Sequence, residues 1–274
     1  SAPVVTSATQ VTLDLTVTDN LGATATDQLV VTVKPYQEGP INDSGVNRLA
    51  DNEQWVTEVD KEFPGQDGER GRDAVELVDA LGKQGAGDHG LDYTKLDENG
   101  DELPNDATSW SCVRDNVTGL IWEVKTSSTG LHQVVHTYSW FNQATNENGG
   151  FEGDESTSEA TCSITDCNTA AFVTAVNTAG YCGAHDWRLP LITELQTLVH
   201  FGSDSGEAID NDLFEQVLNT STTSAMYWSD TPSADGNLDG ESQSAWAIDF
   251  ANGNDFTINK SQHLNVRLVR AGRN

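Results

Sequence analysis

The 274-residue chain reads as an α+β protein, with two helices set among many short strands. Three observations predict that class. Two stretches repeat apolar residues at helical spacing behind start signals. Short β-branched or aromatic runs recur between Gly/Asn/Asp-rich loops. The 7 Trp, 5 Tyr and 8 Phe, within 36% hydrophobic residues, are enough to build a packed core despite the charge.

The elements follow in order. Val11-Thr-Leu-Asp-Leu-Thr-Val17 alternates with period two, and Leu29-Val-Val-Thr-Val33 follows after Asp19-Asn-Leu-Gly22, which makes residues 1–37 a strand–loop–strand unit. Two strands alone are marginal in water, so this unit calls for a packing partner. Pro35 and Glu38-Gly-Pro40 open a linker, and residues 38–62 are expected to be irregular. The main domain is then 63–274. Within it Arg72–Leu81, closed by Gly82, has helical spacing. Ser111–Trp122 reads as strand, tight turn, strand. Asn168 or Thr169 caps a helix through Phe172, Val173, Val176 and Ala179, stopped by Gly180. A second helix starts at Thr193, behind Pro190, and carries Leu195, Leu198 and Val199 inward. Strands are expected at Met226–Ser229, Ala245–Phe250 and Val266–Arg270. Trp122, Trp187, Trp228 and Trp246 are spaced as core or rim aromatics, at least two of them structural.

Charge narrows the function. With 14 Lys+Arg against 43 Asp+Glu, the net charge is −29. Nucleic-acid phosphates and anionic membranes both demand clustered cations, so neither is expected as a partner. No apolar run approaches a membrane span, and Ser1-Ala2-Pro3 reads as the start of a fragment or a mature form. Between Thr126 and Asn259 the one basic residue, Arg188, faces 19 acids. Arg188 is therefore expected to be at least half buried against carboxylates, beside Asp186 and Trp187. The acidity itself implies either a solvated acidic surface or divalent cations in the folded state.

Four cysteines in a Lys-poor chain suggest oxidation and export. The expected bridges are Cys162–Cys167 and Cys112–Cys182, the other two connectivities remaining open. Zinc-type Cys-x-x-Cys spacing is absent, and the six His do not flank the cysteines in a ligand pattern.

Calcium is the expected cofactor. Asp235, Asn237 and Asp239, with Gly240, match the first half of a calcium loop, because oxygens at alternate positions converge on one ion. The bidentate Glu expected later is missing, and Glu241 is the available substitute. Asp97, Asn99 and Asp101 form a second fragment of this kind, and Asp249, Asn252, Asn254 and Asp255 a third acid–amide group. Each also fits a metal-free Asx turn.

No Gly-x-Ser-x-Gly, phosphate-loop, dinucleotide or His-Glu-x-x-His motif is present, so a binder is expected rather than an enzyme. The expected binding surface combines Tyr227, Trp228, Asp230, Trp246, Asp249 and Asn254, aromatic rings beside directed polar groups. Neutral glycan or peptide suits it better than anionic polysaccharide.

Several phrases carry a family resemblance: "CVRDNVTGLIWEVK" from Cys112, "AVNTAGYCGAHDWRLPLITELQTLV" from Ala175, "YWSDT" from Tyr227, "AWAIDFANG" from Ala245 and "VRLVRAG" from Val266, with "FPGQDGERGRDA" upstream from Phe63. Together, over roughly 63–272, they resemble the Lcl C-terminal domain family of collagen-like bacterial adhesins. The resemblance implies a C-type-lectin-like domain displayed outside the cell and used for adhesion, as part of a larger adhesin extending N-terminally. "TVTDNLGATATDQLVVTV" in turn resembles the last two strands of an Ig-like (PKD or cadherin-like) sandwich repeat. Arg188–Leu195 is similar, more distantly, to a segment of the formylglycine-generating sulfatase-modifying domain. Cys162 and Cys167 precede that segment instead of following it, so the oxidoreductase activity is not carried over.

Overall fold

A computed structural model describes residues 9–18, 20–33, 42–56, 62–73, 83–155, 160–203, 206–214, 225–234 and 243–272. The chain divides into two units, Ser1–Pro40 and Ile41–Asn274.

The first unit holds an antiparallel ribbon of β1 (Thr9–Thr18) and β2 (Thr24–Val33), in register from Thr9↔Val33 to Thr18↔Thr24. The strand–loop–strand pattern is thus realised. Leu15, Val17 and Val30 stay more than half exposed.

The second unit begins earlier than the expected domain start. Residues 42–56 are no linker here: Asn42 accepts a hydrogen bond from the Asp92 amide (3.0 Å) and donates to the Asp92 carbonyl (3.3 Å), which buries its side chain. β3 (Leu49–Ala50) and β4 (Trp55–Val56) form a minimal ribbon next to this clamp. Side-chain amides that replace backbone partners hold this stretch, and period-based reading does not register them. The expected 72–81 helix lies mostly outside the described residues.

β5 (Tyr93–Leu96), β6 (Cys112–Asp115) and β7 (Leu120–Glu123) join the late strand β11 (Val269–Ala271) in an antiparallel sheet ordered β11-β7-β6-β5. Alternation sends Val113 and Trp122 into one core and Cys112 and Ile121 into the other. A sheet covered on both faces explains why β5 is buried along its whole length. β8 (Met226–Pro232), β9 (Ser244–Asp249) and β10 (Asn254–Asn259) form a second antiparallel sheet, with Tyr227 entering the first core and Trp228 the second. The expected strand at Val266 starts only at Val269. The Leu268 amide bonds the Glu123 carboxylate (2.8 Å), so a side chain stands in for the strand partner.

α1 (Thr169–Ala179) matches its signals: Asn168 Oδ1 caps the Ala171 amide at 2.8 Å, and Gly180 at φ 77° ends the helix. Phe172 and Val176 are its buried stripe. α2 (Ile192–Gln196) begins one residue before Thr193, because the Glu194 carboxylate accepts from the Leu191 amide (2.8 Å) and sets the first turn there. Leu195, Leu198 and Val199 point inward as expected. Disulfides join Cys112 to Cys182 and Cys162 to Cys167, the pairing expected from the sequence. The coarse class is α+β, mostly small antiparallel sheets with two α-helices among the described residues.

Candidate functional site

Three of the six residues expected to form one binding surface, Tyr227, Trp228 and Asp249, are buried. Tyr227 and Trp228 are 1% and 0% exposed, so neither ring is available to a ligand. The reason is the position of β8: with a core on each side, alternation buries both neighbours. Trp228 Nε1 donates to the Tyr138 carbonyl (2.8 Å), and Tyr227 lies beneath the Arg267 guanidinium, 5.3 Å from its ring centroid. Asp249 is buried and turns the β9–β10 hairpin by accepting from the Ala251 amide (3.0 Å) and the Asn252 side chain (3.0 Å). The third acid–amide group is therefore a hairpin turn, closed by Gly253 at φ 78°. Trp246 is half buried and Asn254 is exposed. Asp230 is half buried, and burial together with Glu147 pushes its carboxyl up to about 6 despite Arg188.

Of the calcium candidates, Asp235, Asn237, Asp239 and Glu241 lie outside the described residues. The loop of Asp97, Asn99 and Asp101 is an Asx turn: Asp97 Oδ1 accepts from the Asn99 (2.8 Å) and Asp101 (2.9 Å) amides, which hold its carboxyl below the usual range. That oxygen is already engaged. Arg188 keeps a partly exposed side chain, 43%, and forms a two-pronged pair with Glu194 (2.7 and 2.6 Å). Asp186 turns away to Arg270 (2.6 Å) instead.

A concavity of about 300 Å³ opens elsewhere, lined among others by Ser109, Trp110, Lys125, Thr126, Asn211 and Asp212. Its frame is rigid. The Trp110 indole N–H donates to the Leu213 carbonyl (3.1 Å), while the Lys95 ammonium sits 4.1 Å from the Trp110 ring centroid. Beneath lies a buried ionic group. Glu123, fully buried, accepts from Lys125 Nζ (2.7 Å) and from His132 Nδ1 (2.7 Å) through one oxygen, and from the Leu268 amide through the other. Burial alone would raise its carboxyl, but Lys125 and His132 hold it down at about 2. The Tyr181 ring stacks on His132 at 3.9 Å, and Arg267 donates to the Glu123 carbonyl (2.6 Å). Lys125 and Asp212 stand 87 positions apart, so the sequence held no local signal for this pocket.

A second titratable cluster was also missed. Asp88, His89 and His200 each present a ligand-type atom within 4.8 Å of the others, the one such group among the described residues. His200 Nε2 lies 3.2 Å from Asp88 Oδ2 and His89 Nε2 3.8 Å from Asp88 Oδ1. Asp88-His89 between Gly87 and Gly90 is a visible local signal, but His200 is 112 positions away from Asp88.

A sequence profile of the Lcl C-terminal domain matches residues 111–270, well over half of the chain. The chain belongs to the Lcl C-terminal domain family. No curated protein and no solved structure matches it. The Lcl C-terminal region holds both helices, β6 to β11 and most of the lining of the Trp110 pocket, whereas Asp88 and His89 lie upstream of it. Membership points to a bacterial surface-associated domain. The two disulfides fit an oxidising compartment, and no described helix is long and apolar enough to cross a membrane.

Proposed function

We propose that this Lcl C-terminal domain, C-type-lectin-like in architecture, is the recognition module of a larger exported bacterial adhesin and binds a neutral glycan or a peptide on another cell or surface. The observation that carries the reading is the pocket at Trp110. An aromatic ring with hydroxyl, amide and carboxylate groups around one concavity suits a ligand that stacks and hydrogen-bonds. A net charge of −29 argues against sulfated or nucleic-acid ligands. The reading is of a binder and not an enzyme: the buried Glu123–Lys125–His132 group is engaged within the protein.

Calcium belongs to this proposal through the spacing of Asp235, Asn237, Asp239 and Glu241 alone. A structural cap without ligand is the second reading, favoured by the burial of Tyr227 and Trp228. Glycan and peptide arrays with the full chain, run with and without EDTA, separate the two. The expected result is a reproducible hit that Asp212→Asn weakens about tenfold with melting unchanged, and that Trp110→Ala weakens at least as far with a lower melting temperature, because its ring packs on the core. Silence on both arrays supports the cap. Hits indifferent to both substitutions move the site away from Trp110, and hits indifferent to EDTA remove calcium from it.

A further inference from the structure

The cluster at Asp88 has the features of a metal site of a different kind from the calcium loops. Two of its three donors are imidazole nitrogens, which suit zinc-class ions and are poor ligands for calcium. His89 Nδ1 is 2.8 Å from the Gly45 carbonyl. A carbonyl only accepts, so Nδ1 carries the proton and Nε2 presents its lone pair towards Asp88. This is how metal-binding histidines are commonly oriented, by an N–H bond from the far nitrogen to a carbonyl. The orientation is built at a cost, since His89 adopts φ 47°.

His200 supplies the independent observation. It is 1% exposed and its Nδ1 is buried with no hydrogen-bond partner, so its polar contact runs through Nε2 into the cluster. The backbone is shaped around this ring: a Cβ on Gly45 would lie 2.1 Å from His200 Nδ1. Asp88 is fixed by its amide, which donates to Asp210 Oδ2 (2.7 Å), while its carboxylate stays 47% exposed. Carboxylates crowd the surroundings. Asp210 accepts from the Asp88 amide, and the Asp43 carboxylate lies alongside Gly90. A divalent cation relieves that repulsion.

We propose that Asp88, His89 and His200 bind one zinc-class divalent cation through two imidazole Nε2 atoms and a carboxylate oxygen, leaving a coordination position open towards solvent. Bonds of roughly 2.0–2.2 Å bring tetrahedral ligand atoms to about 3.3–3.5 Å from one another. The three ligand atoms already lie within 4.8 Å of one another, so closure to that spacing needs side-chain adjustment only. Binding through His200 Nε2 moves the ring proton to Nδ1, the nitrogen that stands without a partner. The site is independent of the Trp110 pocket and of the calcium loops.

The test uses the untagged full chain, stripped with EDTA and titrated with Co²⁺ as a spectroscopic substitute for Zn²⁺. The expected result is one equivalent with visible bands of a four-coordinate N/O site, displaced by Zn²⁺ and not by Ca²⁺. Asp88→Asn and His89→Asn should each weaken binding about tenfold or more. Asn is chosen at 89 because it tolerates positive φ. His200 is left intact because it is an interior side chain. Wild-type affinity in either variant, displacement by Ca²⁺, or no bound equivalent in the wild type overturns the proposal.

Discussion

Two clusters in this domain use the same residue types and reach opposite states. Around Glu123, a carboxylate, an ammonium and an imidazole are paired inside the protein, with the glutamate fully buried and both its oxygens engaged. Around Asp88, a carboxylate and two imidazoles meet near the surface, with the aspartate half exposed and one imidazole nitrogen unpartnered. The difference lies in the compensating cation. Lys125 neutralises Glu123 from within, whereas the partners of Asp88 are two imidazoles, and the Asp210 carboxylate stands at its amide. Composition does not separate a structural ion cluster from a ligating one; the residual need for a charge or a partner does.

The largest effect should come from breaking the satisfied cluster. Glu123→Ala leaves Lys125 buried without its carboxylate and removes the acceptor of the Leu268 amide. A loss of about 3–5 kcal/mol is expected in denaturant unfolding. A loss below about 1 kcal/mol would show that the buried network is dispensable and would remove one side of the comparison. The low carboxyl pKa has a pH signature too. Its folded value, about 2, lies below the ordinary 4.5, so the stabilisation is complete above pH 4.5 and is lost as pH falls towards 2.

Asp230 sharpens the contrast with the opposite sign. It is half buried among Glu147 and Glu194, with Arg188 its one cationic neighbour in this group, and its carboxyl rises from 3.8 to about 6. A folded value above the unfolded one means that the folded state binds the proton more tightly. The associated stability is full below pH 3.8 and disappears as pH rises through 6. Asp230→Asn should therefore stabilise the domain at pH 7.5 by on the order of 1–2 kcal/mol and make little difference at pH 4. Melting curves of both proteins at the two pH values check this. A gap that does not change with pH would mean that Asp230 titrates normally.

These clusters also show where the sequence stops being legible. α1 was readable because its cap, stripe and stop are all local: Asn168, Phe172 and Val176, Gly180. The ribbon β1–β2 was readable for the same reason. Trp228 was not, because alternation says which residues share a face but not whether a second layer covers it. β10 was missed because Asn254, Asp255 and Thr257 form an exposed strand whose composition reads as loop. The start of residues 42–56 was missed because Asn42 is anchored to Asp92, fifty positions away. Both clusters join residues through tertiary contacts, Glu123 to Leu268 and Asp88 to His200, and neither pairing leaves a periodic trace.

The smallest expected effect tests the open cluster without any metal. Asp88→Asn removes the charge but keeps an oxygen that can accept from His200 Nε2, and the backbone bond from residue 88 to Asp210 is untouched. The wild-type carboxylate is nearly half exposed, so its ion pairs resemble surface pairs of about 0–1 kcal/mol. In EDTA the variant should unfold within roughly 0.5 kcal/mol of the wild type, against several for Glu123→Ala. A destabilisation of about 2 kcal/mol or more would place Asp88 among the structural ion pairs, and the two clusters would then differ in exposure but not in role.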